Sequence, residues 1–447
     1  MPSPNCQLAA ALASRTAMEN AFGQLRPHFS NRTWLAPANR YAADTINRLK
    51  ADMTNPTAVA GADLSQYVAA SAPLHLLDGW TFLGRAVDAS LRGDPDTARH
   101  LAYYAELRAA MALLASEGLG VFDKQHFVVE SSMPPSMIRS SSGTHAIVWD
   151  LLKAWCVLPK AADLIGQIVA VGGVPLASWI GHFGIATGNS LQPVAADWLA
   201  TWGLDLRQFH NDRGARNEAS YRPSGLLQNN LVGSHLCVDT VADLWRVLEP
   251  AAMGQFEVID SYLLRLCTET IFSSVTVSPN KSAARKRYRL EVDRMIANVN
   301  LGGNRELRAF LLRGRQRVDS EILRLARKSD PPSAPDHHLQ VLSRAALLLR
   351  IAGGACALLL RAGGTSGSNL RFWWSHLGEM RGYWDRGSAP QNLTDLWADT
   401  EQALDQLDAT QSRLGRRANL LKVRQETKNE AGILGECERI GLWGINV

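Results

Sequence analysis

Apolar residues recur three and four positions apart along most of the chain, and strictly alternating runs are scarce. That period predicts a mostly α-helical protein with little sheet. Asp94-Pro95 reads as a helix start, with Asp as the cap and Pro in the first helical position. Tyr103, Leu107, Ala110 and Leu114 then share one face, and Gly118 and Gly120 end the segment. Upstream, Trp80, Leu83 and Val87 predict an antiparallel partner helix, closed by Arg92-Gly93. The pair resembles one tetratricopeptide unit, but no 34-residue period follows it, so a solenoid is not supported. Residues 118–146 carry two prolines and a β-branched patch at Phe127–Val129, which predicts a loop with a short strand. Helices are predicted at 146–159, 189–206 and 256–272, with a polar, arginine-rich junction at 207–225. Leu307, Leu311, Gly314, Val318, Ile322 and Leu325 keep helical spacing, and 393–421 reads as one long amphipathic helix.

The apolar stretch Ala345–Leu360 is too short to span a bilayer and carries Arg350 at its centre. A central arginine costs about 2.5–3.5 kcal/mol in a membrane. Arg350 and Arg361, eleven apart, share a face, so a buried core helix with a polar stripe is expected and no membrane span. The N-terminus lacks a basic region and its apolar run is too short for a signal peptide, and the six cysteines stand at least thirty residues apart. Separate buried thiols in a reducing cytoplasm follow.

At 447 residues the chain is long enough for a large core, and 20% charged residues is ordinary for a globular protein. Charge becomes informative in its distribution. The chain holds 38 Arg and 9 Lys, a bias that a GC-rich bacterial genome also produces. Between Lys281 and Lys328 there are fourteen Lys and Arg against five Asp and Glu, a local balance of +9. The shift in composition near Ser278 divides the chain into 1–277 and a basic helical region, 278–447. A basic surface of this density predicts RNA or DNA binding, through Arg285, Lys286, Arg287, Arg308 and Arg315.

Known catalytic motifs are missing: there is no GxxxxGK[ST], GxSxG or HExxH string, and no cofactor or metal is expected. His337-His338 falls in a Pro/Asp-rich stretch read as a linker. The most unusual segment is HNDRGARNEASYRPSGL, which gathers His210, Arg213, Arg216, Asn217, Tyr221 and Arg222. Arginine, asparagine and tyrosine suit a phosphate, a ribose and a base face in turn. The alternative is a structural junction in which Asn217 caps backbone and Arg216 pairs with a carboxylate.

YYAELRAAMALLA (103–115), followed by RNEASYRP (216–223), resembles the YaaC-like group of the HEPN superfamily. The resemblance covers residues 75–275. It implies a helical bundle that dimerises, and an RNase of a toxin or phage-defence system using an Arg-x4-6-His motif. Here Arg216-Asn217 begins that motif, but Tyr221 stands at the histidine position. A tyrosine with a pKa near ~10 is a poor base at neutral pH. His210, or the Arg139-x5-His145 pair in the Ser-rich loop, would have to supply the missing group. Arg371-x4-His376 fits the spacing too, but its RFWWSH context predicts packing. Two expectations follow: a nucleic-acid-associated, HEPN-like protein, or a non-catalytic scaffold docking partner subunits of a defence complex.

Overall fold

The computed structural model describes residues 1–55, 59–131, 133–140, 142–203, 234–251, 256–276, 280–415 and 418–444. The protein is predominantly all-α, with 67% helix and 4% strand. Two long helices, Gly61–Leu91 and Pro95–Ser116, form the antiparallel pair expected from the sequence. The Asp94 carboxylate accepts from the Thr97 N–H, so the second helix starts on a side-chain cap. Gly93 and Gly118 both adopt left-handed backbone, at φ 74° and 95°, where the chain must turn.

A third long helix, His337–Ala362, packs against both members of the pair and is buried along nearly its whole length. It is long and apolar enough to cross a membrane, yet 78% of its most apolar window is enclosed by protein. We call it the central helix. Arg350 at its middle is 4% exposed and donates to both oxygens of the fully buried Asp260, at 3.2 and 2.6 Å, and to the Ile168 carbonyl at 3.1 Å. Arg361 is exposed, while Gln340, Ser343 and Arg344 are buried in the same helix as Arg350, so the buried polar positions lie in its N-terminal and middle turns.

The core is continuous from Cys6 to Trp443 and takes in residues on both sides of Ser278. Positions 277–279, where the composition shifts, lie outside the described residues. Gly84 shows how closely the C-terminal part docks: a Cβ there would stand 2.2 Å from the Gly435 carbonyl oxygen. Any side chain would push the two segments apart.

Sequence periodicity misplaced some boundaries. Residues 119–137 hold a three-stranded antiparallel sheet, β1 (Leu119–Phe122), β2 (Gln125–Val128) and β3 (Ser136–Met137), rather than one strand in a loop. The 307–325 stripe is two helices, Arg305–Leu311 and Glu321–Ala326. The amphipathic segment from 393 stops at Leu414, where Gly415 turns at φ 78°, and restarts at Leu420. His337 and His338 are not in a linker: they open the central helix and are each 3% exposed. Among the described residues no group of three His, Cys, Asp or Glu could hold a metal ion. All six cysteines are free and buried.

Candidate nucleic-acid interface

The basic block resolves into two populations. Seven of its fourteen cations are neutralised within the protein. Arg294 pairs with Glu291, Arg308 with Asp293, Arg313 with Glu269 and Asp319, and Arg315 with Glu306. Arg324 pairs with Glu321, Arg327 with Asp319, and Lys328 with Asp336. Arg308 is held on both oxygens of Asp293, at 2.6 and 2.9 Å. Such a fork–fork pair holds the guanidinium in place and offsets its charge.

The remaining seven make no ion pair among the described residues, and five of them crowd the start of one helix, Lys281–Asn298. Its first nine residues, KSAARKRYR, contain Lys281, Arg285, Lys286, Arg287 and Arg289 and no acid. All five are exposed. Asn280 caps this basic helix by accepting from the Ser282 and Ala283 N–H groups. The positive end of the helix dipole lies at that same terminus, so Lys281 in the first turn is locally unfavourable, and the like charges at 281, 285 and 289 repel along one face. Stability alone would place acids there.

One face of the basic helix closes a cleft of about 770 Å³ against the helix Glu257–Val275. Arg285 and Arg289 line it from the basic helix, with Arg313 and Arg317 from the loop opposite, and Phe272, Ala284, Tyr288 and Leu312 give it apolar walls. The Tyr288 ring meets Phe272 edge-on, with centroids 5.1 Å apart, and its hydroxyl hydrogen-bonds Thr268 at 3.0 Å. Burial raises the Tyr288 phenol pKa, so it is neutral and already partnered.

The opposing loop is fixed from beneath. Arg265, fully buried, donates to the carbonyls of Phe310 and Gln316 and to Asp319, at 3.2, 2.9 and 2.7 Å. Its guanidinium also lies 4.2 Å from the Phe310 ring centroid and 4.9 Å from that of Tyr262. Burial pushes the Asp319 carboxyl up, but hydrogen bonds from Arg265 and Arg313 outweigh it and hold it below the usual range. Arg313 grips both oxygens of Glu269, at 2.6 and 2.8 Å, with its backbone at φ 54°. That bidentate bond raises its pKa further.

A neighbouring cleft of about 510 Å³, lined by Asp197, Trp198 and Thr270, shares Glu269 and Ser273 with the first. A wider one, about 1380 Å³, contains both Arg371 and His376. Trp374 beside them is 7% exposed, in keeping with packing.

The other expected site residues fall elsewhere. His210, Arg213, Arg216, Asn217, Tyr221 and Arg222 lie outside the described residues. His145 is half-buried, with Nδ1 2.8 Å from the Tyr103 hydroxyl and its ring stacked on that of Tyr103. The Arg139 side chain is exposed, and its carbonyl accepts from Asn5 at 2.7 Å. The sequence had marked Arg285, Lys286 and Arg287. It gave no sign that Arg285 and Arg289 would line one cleft with Phe272, Arg313 and Arg317, because that lining comes from separate segments. No protein-family model, curated protein or solved structure matches the chain, so the geometry of this surface carries the functional reading.

Proposed function

We propose that this protein binds nucleic acid, RNA or DNA, through the first turns of the basic helix. The observation that carries the reading is the cluster of five exposed cations in nine residues, with no ion pair among the described residues and mutual repulsion left uncompensated. Phosphates repay that local cost, and the release of their counterions drives association. RNA cleavage within a defence or toxin system, in a homodimer or with partner subunits, rests only on the resemblance carried by YYAELRAAMALLA and RNEASYRP. With Tyr221 at the position of the base, binding without efficient cleavage is expected.

The test is fluorescence anisotropy with labelled RNA and DNA strands over a range of salt. Wild type should bind at low salt, with log K falling linearly against log salt. Arg285→Gln with Lys286→Gln should flatten the slope by about 0.7 per lost phosphate contact on single strands. Arg308→Gln, whose arginine is already satisfied by Asp293, should bind as wild type does. No retention of either polymer at low salt, or a slope untouched by the double substitution, would overturn the reading and leave a protein-docking face.

A further inference from the structure

The cleft beside the basic helix has a chemistry that a passing polymer does not need. At about 770 Å³ it has the size of a small-molecule pocket. Its four arginines face one carboxylate, Glu269, which Arg313 already occupies; four minus one leaves +3. Arg285, Arg289 and Arg317 carry that excess, with no ion pair among the described residues. A strand crossing the opening would bring one charge per nucleotide. A terminal phosphate monoester brings about −1.5 to −2 by itself, and a diphosphate about −3. The walls between the arginines are the Phe272 ring, Leu312, Ala284 and the Tyr288 ring. The Tyr288 hydroxyl is bonded to Thr268, so that wall offers an aromatic surface rather than a free donor. A flat apolar body with a multiply charged tail fits this combination, and bare phosphate would leave the rings unused.

We propose that this cleft is a nucleotide site: it holds a base against Phe272 and Leu312, and a terminal phosphate or diphosphate among Arg285, Arg289 and Arg317. Arg313 is a positioning residue, fixing the loop that carries Arg317 through Glu269 and Asp319. The ligand is a phosphate-terminated nucleotide, either free or at the 5′ end of a strand. The site shares Arg285 and Arg289 with the polymer surface but requires no polymer.

Calorimetric titration of the full chain, without added divalent metal, compares ADP, UDP, adenosine and pyrophosphate. Both diphosphates should bind at least ten-fold more tightly than adenosine or pyrophosphate. Arg317→Gln should weaken ADP five-fold or more. Phe272→Leu, which keeps apolar volume but loses the ring, should weaken ADP about five-fold, in line with base stacking, and leave pyrophosphate unchanged. Melting curves of each variant check that it is folded. Strands carrying a 5′-phosphate or a 5′-hydroxyl separate the two sources. Because both strands share Arg285 with ADP, stronger competition by the phosphorylated strand assigns the site to strand ends, and equal competition by both strands assigns it to free nucleotides. Pyrophosphate binding as tightly as ADP, or Phe272→Leu binding ADP as wild type does, would overturn the proposal. If ADP fails while hydroxyl-ended strands still bind in an Arg285-dependent way, nucleic-acid binding stands and the nucleotide site does not.

Discussion

Arg313 bears a backbone cost that its side chain offsets. Its φ of 54° is the left-handed conformation that ends the helix Arg305–Leu311, where the 314 N–H reaches back to the Ala309 carbonyl at 2.8 Å. Glycine is the usual residue at such a position. An L-residue there costs about 1–2 kcal/mol, which ion pairs with Glu269 and Asp319 oppose. Two substitutions separate the terms, since Arg313→Ala and Arg313→Gly both lose the ion pairs and only glycine relieves the backbone. The glycine variant should be the more stable of the two by about 1 kcal/mol in urea unfolding, the reverse of the usual order inside a helix. Equal midpoints would show that the left-handed backbone costs nothing there. The arginine-rich composition was plain in the sequence. Which arginines are spent inside the fold was not, because Glu269 lies 44 residues before Arg313 and nothing local couples them.

At the scale of elements, legibility follows the range of the forces involved. The Pro95–Ser116 helix was readable because Asp94, Pro95 and Gly118 act within a turn of its ends. The 307–325 stripe misled because Arg265 recruits the Phe310 and Gln316 carbonyls, and Ser320 caps a fresh start by accepting from the Leu323 N–H. Hydrophobic spacing continues through the break, whereas backbone hydrogen bonding does not. The basic helix sets local stability against binding in a way that can be measured. Lys281 sits in the first turn, where the dipole favours an acid. Lys281→Glu should therefore raise stability by about 0.3–1 kcal/mol in low salt and weaken RNA binding in the same buffer. A variant with added stability and undiminished RNA affinity would remove Lys281 from the interface.

Across the whole molecule, the Arg350–Asp260 pair ties three distant segments together. Arg350 comes from the central helix, Asp260 from the helix that floors the cleft, and the Ile168 carbonyl from the end of Pro159–Ile168. The Ala170 N–H also donates to Asp260, at 2.9 Å. The sequence had placed Arg350 on a buried face, but its partner stands 90 positions away and could not be read. Replacing Arg350 with Met strands a buried carboxylate, which costs about 3–5 kcal/mol. Arg350→Met with Asp260→Leu should recover much of that loss, less the cost of an unpaired Ala170 N–H. The loss should also depend on pH. Burial raises the Asp260 pKa above 3.8, against the pull of Arg350 and the Ala170 N–H, and removing Arg350 raises it further. The folded variant then binds a proton that the unfolded chain releases, so its stability falls as pH rises through the window above 3.8. Urea unfolding should show the variant's deficit largest at neutral pH and shrinking toward pH ~4, where a protonated Asp260 no longer needs a countercharge. A deficit of the same size at both pH values would mean that Asp260 does not carry the charge on which this tie depends.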